Sequence, residues 1–111
     1  MNNTEAVQWI YVTCADASQA ETIARTLVGE RLAACANVLG AMRSFYWWNG
    51  EIQDETEVAM VLKTRRDLVD AATQRIKALH SYDCPCVVAL DIVGGNDNFL
   101  KWIVRETQPL S

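Results

Sequence analysis

A short window of the chain gathers most of the side chains that could do chemistry. The stretch LHSYDCPCVV, positions 79–88, contains a tyrosine, an aspartate, two cysteines and His80, the only histidine in the sequence. Imidazole, carboxylate and thiol groups this close together can bind a metal ion or act in acid–base and nucleophilic catalysis. The same residues can also be the packed entry to a buried strand.

These residues supply possible metal donors, but their spacing matches no established metal-binding motif. Reduced copper favours cysteine and methionine, and divalent copper favours nitrogen and oxygen donors. The sequence has no Cys-x-x-Cys pair and a single histidine, so it carries no signature of a closed four-ligand zinc site. Cys84 and Cys86 are expected to be reduced thiols that pack as small apolar residues at the start of a strand.

Catalysis is a third use of the same residues. His80 with Asp83 could act as a base, and Cys84 could act as a nucleophile. A nucleophile also needs an oxyanion stabiliser, and nothing in the window supplies one. His80 is predicted at the C-terminus of a helix, where the helix dipole favours the imidazolium over a neutral base. We therefore expect the protein not to be an enzyme.

The elements that must position this window alternate between strands and helices. Apolar and β-branched patterns predict strands over 9–13, 34–48, 52–64 and 87–93. Apolar residues at helical period predict helices over 16–30, 67–79 and 98–106, with Asp16 or Ser18 as the first cap. Asn49-Gly50 predicts a tight hairpin, and the glycine of Leu39-Gly40 predicts a bulge or break in the strand before it.

The order βαββαβ, followed by a C-terminal helix, predicts a fold of the α+β class. We expect a ferredoxin-like sandwich with an antiparallel sheet, two helices on one face and a long protruding hairpin. At 111 residues the chain is predicted to be a single domain spanning 1–111. The strands are apolar on both faces, so we expect other subunits to bury the bare face of the sheet or the hairpin.

Composition makes several classes of function unfavourable. The net charge is −4 and no basic patch occurs, which argues against nucleic-acid binding. No apolar run has the length of a membrane span. The N-terminal segment lacks a basic region before an apolar one, so no signal peptide is predicted and a cytoplasmic location is expected.

Five blocks of the sequence resemble the CutA family of divalent-cation tolerance proteins. They are ERLAACANV, YWWNGEI, EVAMVLKT, LHSYDCPCVVAL and NFLKWI, and they extend the likeness from about Trp9 to Thr107. The resemblance implies a homotrimer whose long hairpin reaches neighbouring subunits, with a role in tolerance of copper or other divalent cations. The family's trimer is similar to that of the PII signalling proteins, which bind small effectors between subunits.

The resemblance also implies a ligand pocket. Its residues in this chain are Trp48, Lys63, His80, Tyr82, Asp83 and Trp102. Aromatic walls with a lysine and an aspartate would suit a small anionic or zwitterionic ligand. The alternative is a purely structural subunit contact, in which Lys63 pairs with Asp83 and the aromatic rings hold the trimer together.

Metal binding is implied at Cys14 and His80, with copper or another divalent cation as the ligand. Ser81 stands where the family commonly has proline and Asp83 where it has glutamate, and the two nearby cysteines are not usual there. The sequence thus predicts a metal-binding trimer for divalent cation, chiefly copper, response and tolerance. The alternative is a PII-like effector-binding or scaffold trimer in which metal binding is incidental.

Overall fold

The elements of the chain follow the predicted order. The structure, a computed structural model, describes residues 6–108, so positions 1–5 and 109–111 of the predicted domain lie outside it. The strands and helices are β1 (Val7–Cys14), α1 (Ala17–Gly29), β2 (Cys35–Trp48), β3 (Glu51–Arg65), α2 (Val69–Leu79), β4 (Val87–Asp91) and α3 (Asp97–Glu106).

The four strands form one sheet in the order β2-β3-β1-β4, and every neighbouring pair is antiparallel. The predicted α+β class and antiparallel sheet are confirmed. β1 and β3 lie in the centre, so the residues they carry are held by hydrogen bonds on both sides.

The hairpin between β2 and β3 is long because both strands continue past the rest of the sheet. Asn49 and Gly50 have φ angles of 52° and 76°, the two left-handed residues that a tight type I′ turn requires. The register shifts between Val38 and Gly40, where Gly40 adopts a φ of 111°. The hairpin and bulge predictions are therefore confirmed, and the hairpin extends the molecule to 45 Å in its longest dimension.

The core lies between one face of the sheet and the helices α1 and α2. Alternate residues of the central strands, such as Ile10 and Leu62, pack there with Ile23 and Ile76 of the helices, and all four are fully buried. α3 packs at one end of the sheet through a second cluster that includes Leu100 and Ile103. The face of the sheet opposite α1 and α2 leaves large apolar side chains half exposed, namely Trp9, Val88 and Leu90.

The start of α2 and the end of β4 differ from the predicted ones, whereas the cap of α1 is one of the two predicted residues. Residues 66–68 form a 3₁₀ turn, so α2 begins at Val69 rather than Asp67. β4 ends at Asp91 rather than Val93 because Asp91 pairs with Gln8, close to where β1 begins. The cap of α1 is Asp16, whose Oδ1 accepts a hydrogen bond of 2.8 Å from the Gln19 N–H.

Candidate functional site

A large cavity lies between the hairpin and the 81–86 segment, the irregular stretch that joins α2 to β4. Its volume is about 790 Å³. Because side chains alternate along a strand, β2 and β3 present Met42, Ser44 and Trp48 with Glu55 and Glu57 on one side. The 81–86 segment forms the facing wall with Tyr82, Asp83, Cys84 and Cys86.

His80 fixes the start of this segment. It caps the C-terminus of α2, and its Nδ1 accepts a hydrogen bond of 3.1 Å from the Tyr82 N–H. Its Nε2 lies 2.8 Å from the carbonyl oxygen of Thr13 on β1. An accepting Nδ1 assigns the proton of the neutral ring to Nε2, which donates to Thr13. His80 therefore ties the segment to the central sheet through both ring nitrogens.

Glu57 places a carboxylate deep in the cavity wall. It is only 6% exposed, and its Oε2 accepts a hydrogen bond of 2.9 Å from the Tyr82 hydroxyl. Burial and this bond to Glu57 raise the pKa of Tyr82 well above its ordinary value, so the phenol remains a donor. Burial, reinforced by the charge of Glu57, likewise raises the pKa of the Cys86 thiol.

Sequence comparison identifies the family to which this arrangement belongs. Residues 8–106 match the family described as CutA1 divalent ion tolerance protein. The chain belongs to the CutA1 family. It is 46% identical over 99 residues to the divalent-cation tolerance protein CutA of Pyrococcus horikoshii, covering 89% of this chain and 96% of that protein. It is 40% identical over 99 residues to the chloroplastic CutA 1 of Oryza sativa, covering 89% of this chain but 56% of that longer protein.

Solved CutA1 structures have the same fold. The periplasmic divalent cation tolerance protein CutA of Archaeoglobus fulgidus matches with a TM-score of 0.89 at 39% identity, over 92% of this chain and 99% of that one. CutA1 from Oryza sativa matches with a TM-score of 0.90 at 37% identity, over 99% of this chain and 100% of that one. The family resemblance and the fold class are thereby confirmed.

The six residues that were predicted to form one ligand pocket are divided among three places in this chain. Trp48, Tyr82 and Asp83 line the large cavity, with His80 directly behind its wall. Trp102 lines a separate cavity of about 320 Å³ beside the end of α1. A single pocket containing all six residues stays a prediction.

Lys63 lies apart from the cavity. Its Nζ is 2.8 Å from Asn37 Oδ1 and lies 5.9 and 5.8 Å from the ring centres of Trp9 and Phe99. The cavity is therefore without the lysine on which the expectation of an anionic ligand depended. The ionisable groups in its described lining are carboxylates, phenols and thiols. The cavity therefore favours a positively charged ligand rather than the anionic ligand that was expected.

The two predicted metal ligands have limited freedom to bind metal in this arrangement. Cys14 is fully buried, and burial, with the nearby charges of Glu57 and Asp16, raises the pKa of its thiol to about 11. Both ring nitrogens of His80 are already hydrogen-bonded. Within residues 6–108, no three His, Cys, Asp or Glu side chains are grouped to hold one ion. Metal binding at Cys14 and His80 stays a prediction and requires one of these contacts to break.

The predicted packing of Cys84 was wrong. Cys84 is exposed and Cys86 is half-buried, and both thiols are free and line the cavity. The reason is that β4 begins only at Val87, so both cysteines precede the strand and the core that it covers.

We expect the four thiols to react with iodoacetamide at pH 8 in an order set by burial. Cys84 should be modified first because it is exposed, and Cys14 last because its buried thiol, with a pKa of about 11, is almost entirely protonated. Timed alkylation followed by peptide mass spectrometry measures the order. In denaturant the differences should largely disappear. Equal rates for Cys14 and Cys84 in the native protein would contradict this description of the site.

The sequence analysis missed the acidic residues of the cavity. Counting outward from the Asn49-Gly50 turn pairs Glu55 with Ser44 and Glu57 with Met42. This count was possible from the sequence and puts both glutamates on the same face as Trp48. The burial of Glu57 and its contact with Tyr82 had no such signal.

Among residues 6–108, no helix is long and apolar enough to cross a membrane.

Proposed function

We propose that this protein functions in tolerance of divalent cations, as a homotrimer for which copper is the principal ion. The support for the general role is membership of the CutA1 family, whose relatives across most of this chain bear the name divalent-cation tolerance protein. Titration with copper and light scattering test the identity of the ion and the trimeric state. The proposal assigns no catalysed reaction.

One observation favours direct metal contact: the 81–86 segment carries donors of two kinds on one cavity wall. The thiols of Cys84 and Cys86 suit soft ions, and the carboxylate of Asp83 suits harder ones. The glutamates of β3 face them across the cavity, so the electrostatic potential there attracts cations. A modest movement of an irregular segment could bring these donors around one ion.

The trimer is supported by apolar surface in two places. Trp9, Val88 and Leu90 lie on the face of the sheet opposite α1 and α2, and Phe45 and Trp47 lie exposed on the hairpin. Large apolar side chains concentrated in this way are typical of subunit interfaces. A second copy of this chain is the proposed occupant, because the hairpin projects far enough to reach a neighbour.

The test is calorimetric titration of the reduced protein with Cu²⁺ under argon, with Cd²⁺ as a divalent ion that does not oxidise thiols. We expect a fixed metal ratio per trimer, with light scattering of the same samples giving three times the chain mass of 12.4 kDa. The double variant Cys84→Ser/Cys86→Ser should lose binding if the 81–86 segment holds the metal. His80→Ala should lose it if the Cys14–His80 pair does. Weak binding that survives in all variants would contradict a direct metal role.

A second candidate function is favoured by the size and walls of the cavity. A volume of about 790 Å³ lies within the range of small-molecule sites. The protein would then be a PII-like effector-binding trimer in which metal is incidental.

A cytoplasmic location is also part of our proposal, although named relatives include chloroplastic and periplasmic proteins.

A further inference from the structure

All ionisable side chains in the described lining of the large cavity are acids, so none of them can carry a positive charge. Three carboxylates face it, from Glu55, Glu57 and Asp83, and no lysine, arginine or histidine belongs to the described lining. Glu57 is also more than nine-tenths buried, so its charge is poorly screened by water. A positively charged ligand would therefore gain more here than at an exposed acidic patch.

Aromatic rings form much of the remaining wall. Five of them line the cavity, namely Tyr11, Phe45, Tyr46, Trp48 and Tyr82. The faces of aromatic rings attract cations, most strongly where water is excluded. Two of the phenols also hold carboxylates in place, because Tyr82 donates to Glu57 and Tyr46 donates to Glu55, each at 2.9 Å.

We propose that this cavity binds an organic cation, a quaternary ammonium or a protonated aliphatic amine. Such a ligand needs a negative charge and aromatic faces at several ångströms, which the cavity supplies. A bare metal ion needs several donors within about 2.6 Å, and the described residues hold no such group unless the 81–86 segment moves. The inference goes beyond divalent cation tolerance and does not depend on it.

Calorimetry with a charged probe and its neutral isostere tests the proposal. Choline and 3,3-dimethyl-1-butanol have nearly the same shape, but only choline carries a charge. The titrations are made in EDTA, so that a failure of metal binding cannot affect them. We expect choline to bind at least about tenfold more tightly than the alcohol, since cation–π and charge contacts together contribute this much or more.

Variants locate the binding. Glu57→Gln removes the charge yet keeps an oxygen that can accept from the Tyr82 hydroxyl, and it should weaken choline binding about tenfold. Glu21→Gln, on the exposed side of α1, makes the same change of charge away from the cavity and should have no effect. Glu55→Gln, at an exposed position of β3, should also weaken binding and does not depend on a buried substitution being tolerated.

Three outcomes would overturn the proposal. The first is equal affinity for choline and the neutral alcohol. The second is unchanged choline binding in both Glu57→Gln and Glu55→Gln. The third is no binding of either probe, the result expected if a neighbouring subunit fills the cavity.

Discussion

Replacement of Leu62 by alanine is expected to lower the free energy of unfolding by about 2–5 kcal/mol. Leu62 is fully buried in the centre of β3, where it pairs with Ile10 on one side and Ala36 on the other. Truncation removes apolar contacts and leaves a cavity that hydrogen-bonded strands cannot close. Urea unfolding at fixed protein concentration measures the change, because any oligomer would make stability depend on concentration.

Val93→Ala is the control for this experiment. Val93 is 98% exposed, so its truncation should change the free energy of unfolding by less than about 0.5 kcal/mol. A cost for Leu62→Ala no larger than that of the control would contradict the described core. The circular dichroism of both variants should match the parent protein at low urea.

Loss of the His80 side chain is expected to have the second large effect. His80→Ala leaves the Thr13 carbonyl and the Tyr82 N–H without their partner, and each is part of a half-buried contact. Leaving such groups unpaired costs about 1–3 kcal/mol in unfolding free energy. The 81–86 segment should also open more often, so hydrogen exchange at the Tyr82 N–H should accelerate.

Two further variants separate the two bonds of His80. The substitution His80→Asn offers an amide oxygen near the place of Nδ1, so the bond from Tyr82 should survive. The substitution His80→Gln offers an N–H near the place of Nε2, so the bond to Thr13 should survive. Lys77→Ala, exposed on α2, is the control. Slow exchange at Tyr82 in His80→Ala would show that His80 does not hold the segment.

The order of the elements could be read from the sequence because it depends on local patterns. Alternation in β3, the Asn49-Gly50 turn and the apolar stripes of the helices each act within a few residues. The bulge at Gly40 was predicted for the same reason, since a glycine in a strand relaxes the backbone limits. The end of β4 was not, because β4 stops beside the first residues of its antiparallel partner β1, which lies far away in sequence.

The candidate site residues, too, could be picked out only where the signal lay within a short stretch of sequence. Residues of the 80–86 stretch were singled out because their chemistry is dense within one short window. The assignment of Lys63 to their pocket came from family likeness alone, and within the chain Lys63 contacts Asn37. The burial of Cys84 was misjudged because exposure depends on which strand covers a residue.

The sequence by itself determined the elements, their order, the hairpin and the family, all of which follow from side-chain periodicity, turn chemistry and local motifs. Only the tertiary structure decided the charge of the cavity, because that charge depends on which long side chains meet across strands. It placed Glu57 against Tyr82 at a sequence separation of 25 and turned His80 toward Thr13 across 67 residues. Contacts over such distances are selected by packing of the whole chain, and no local pattern encodes them.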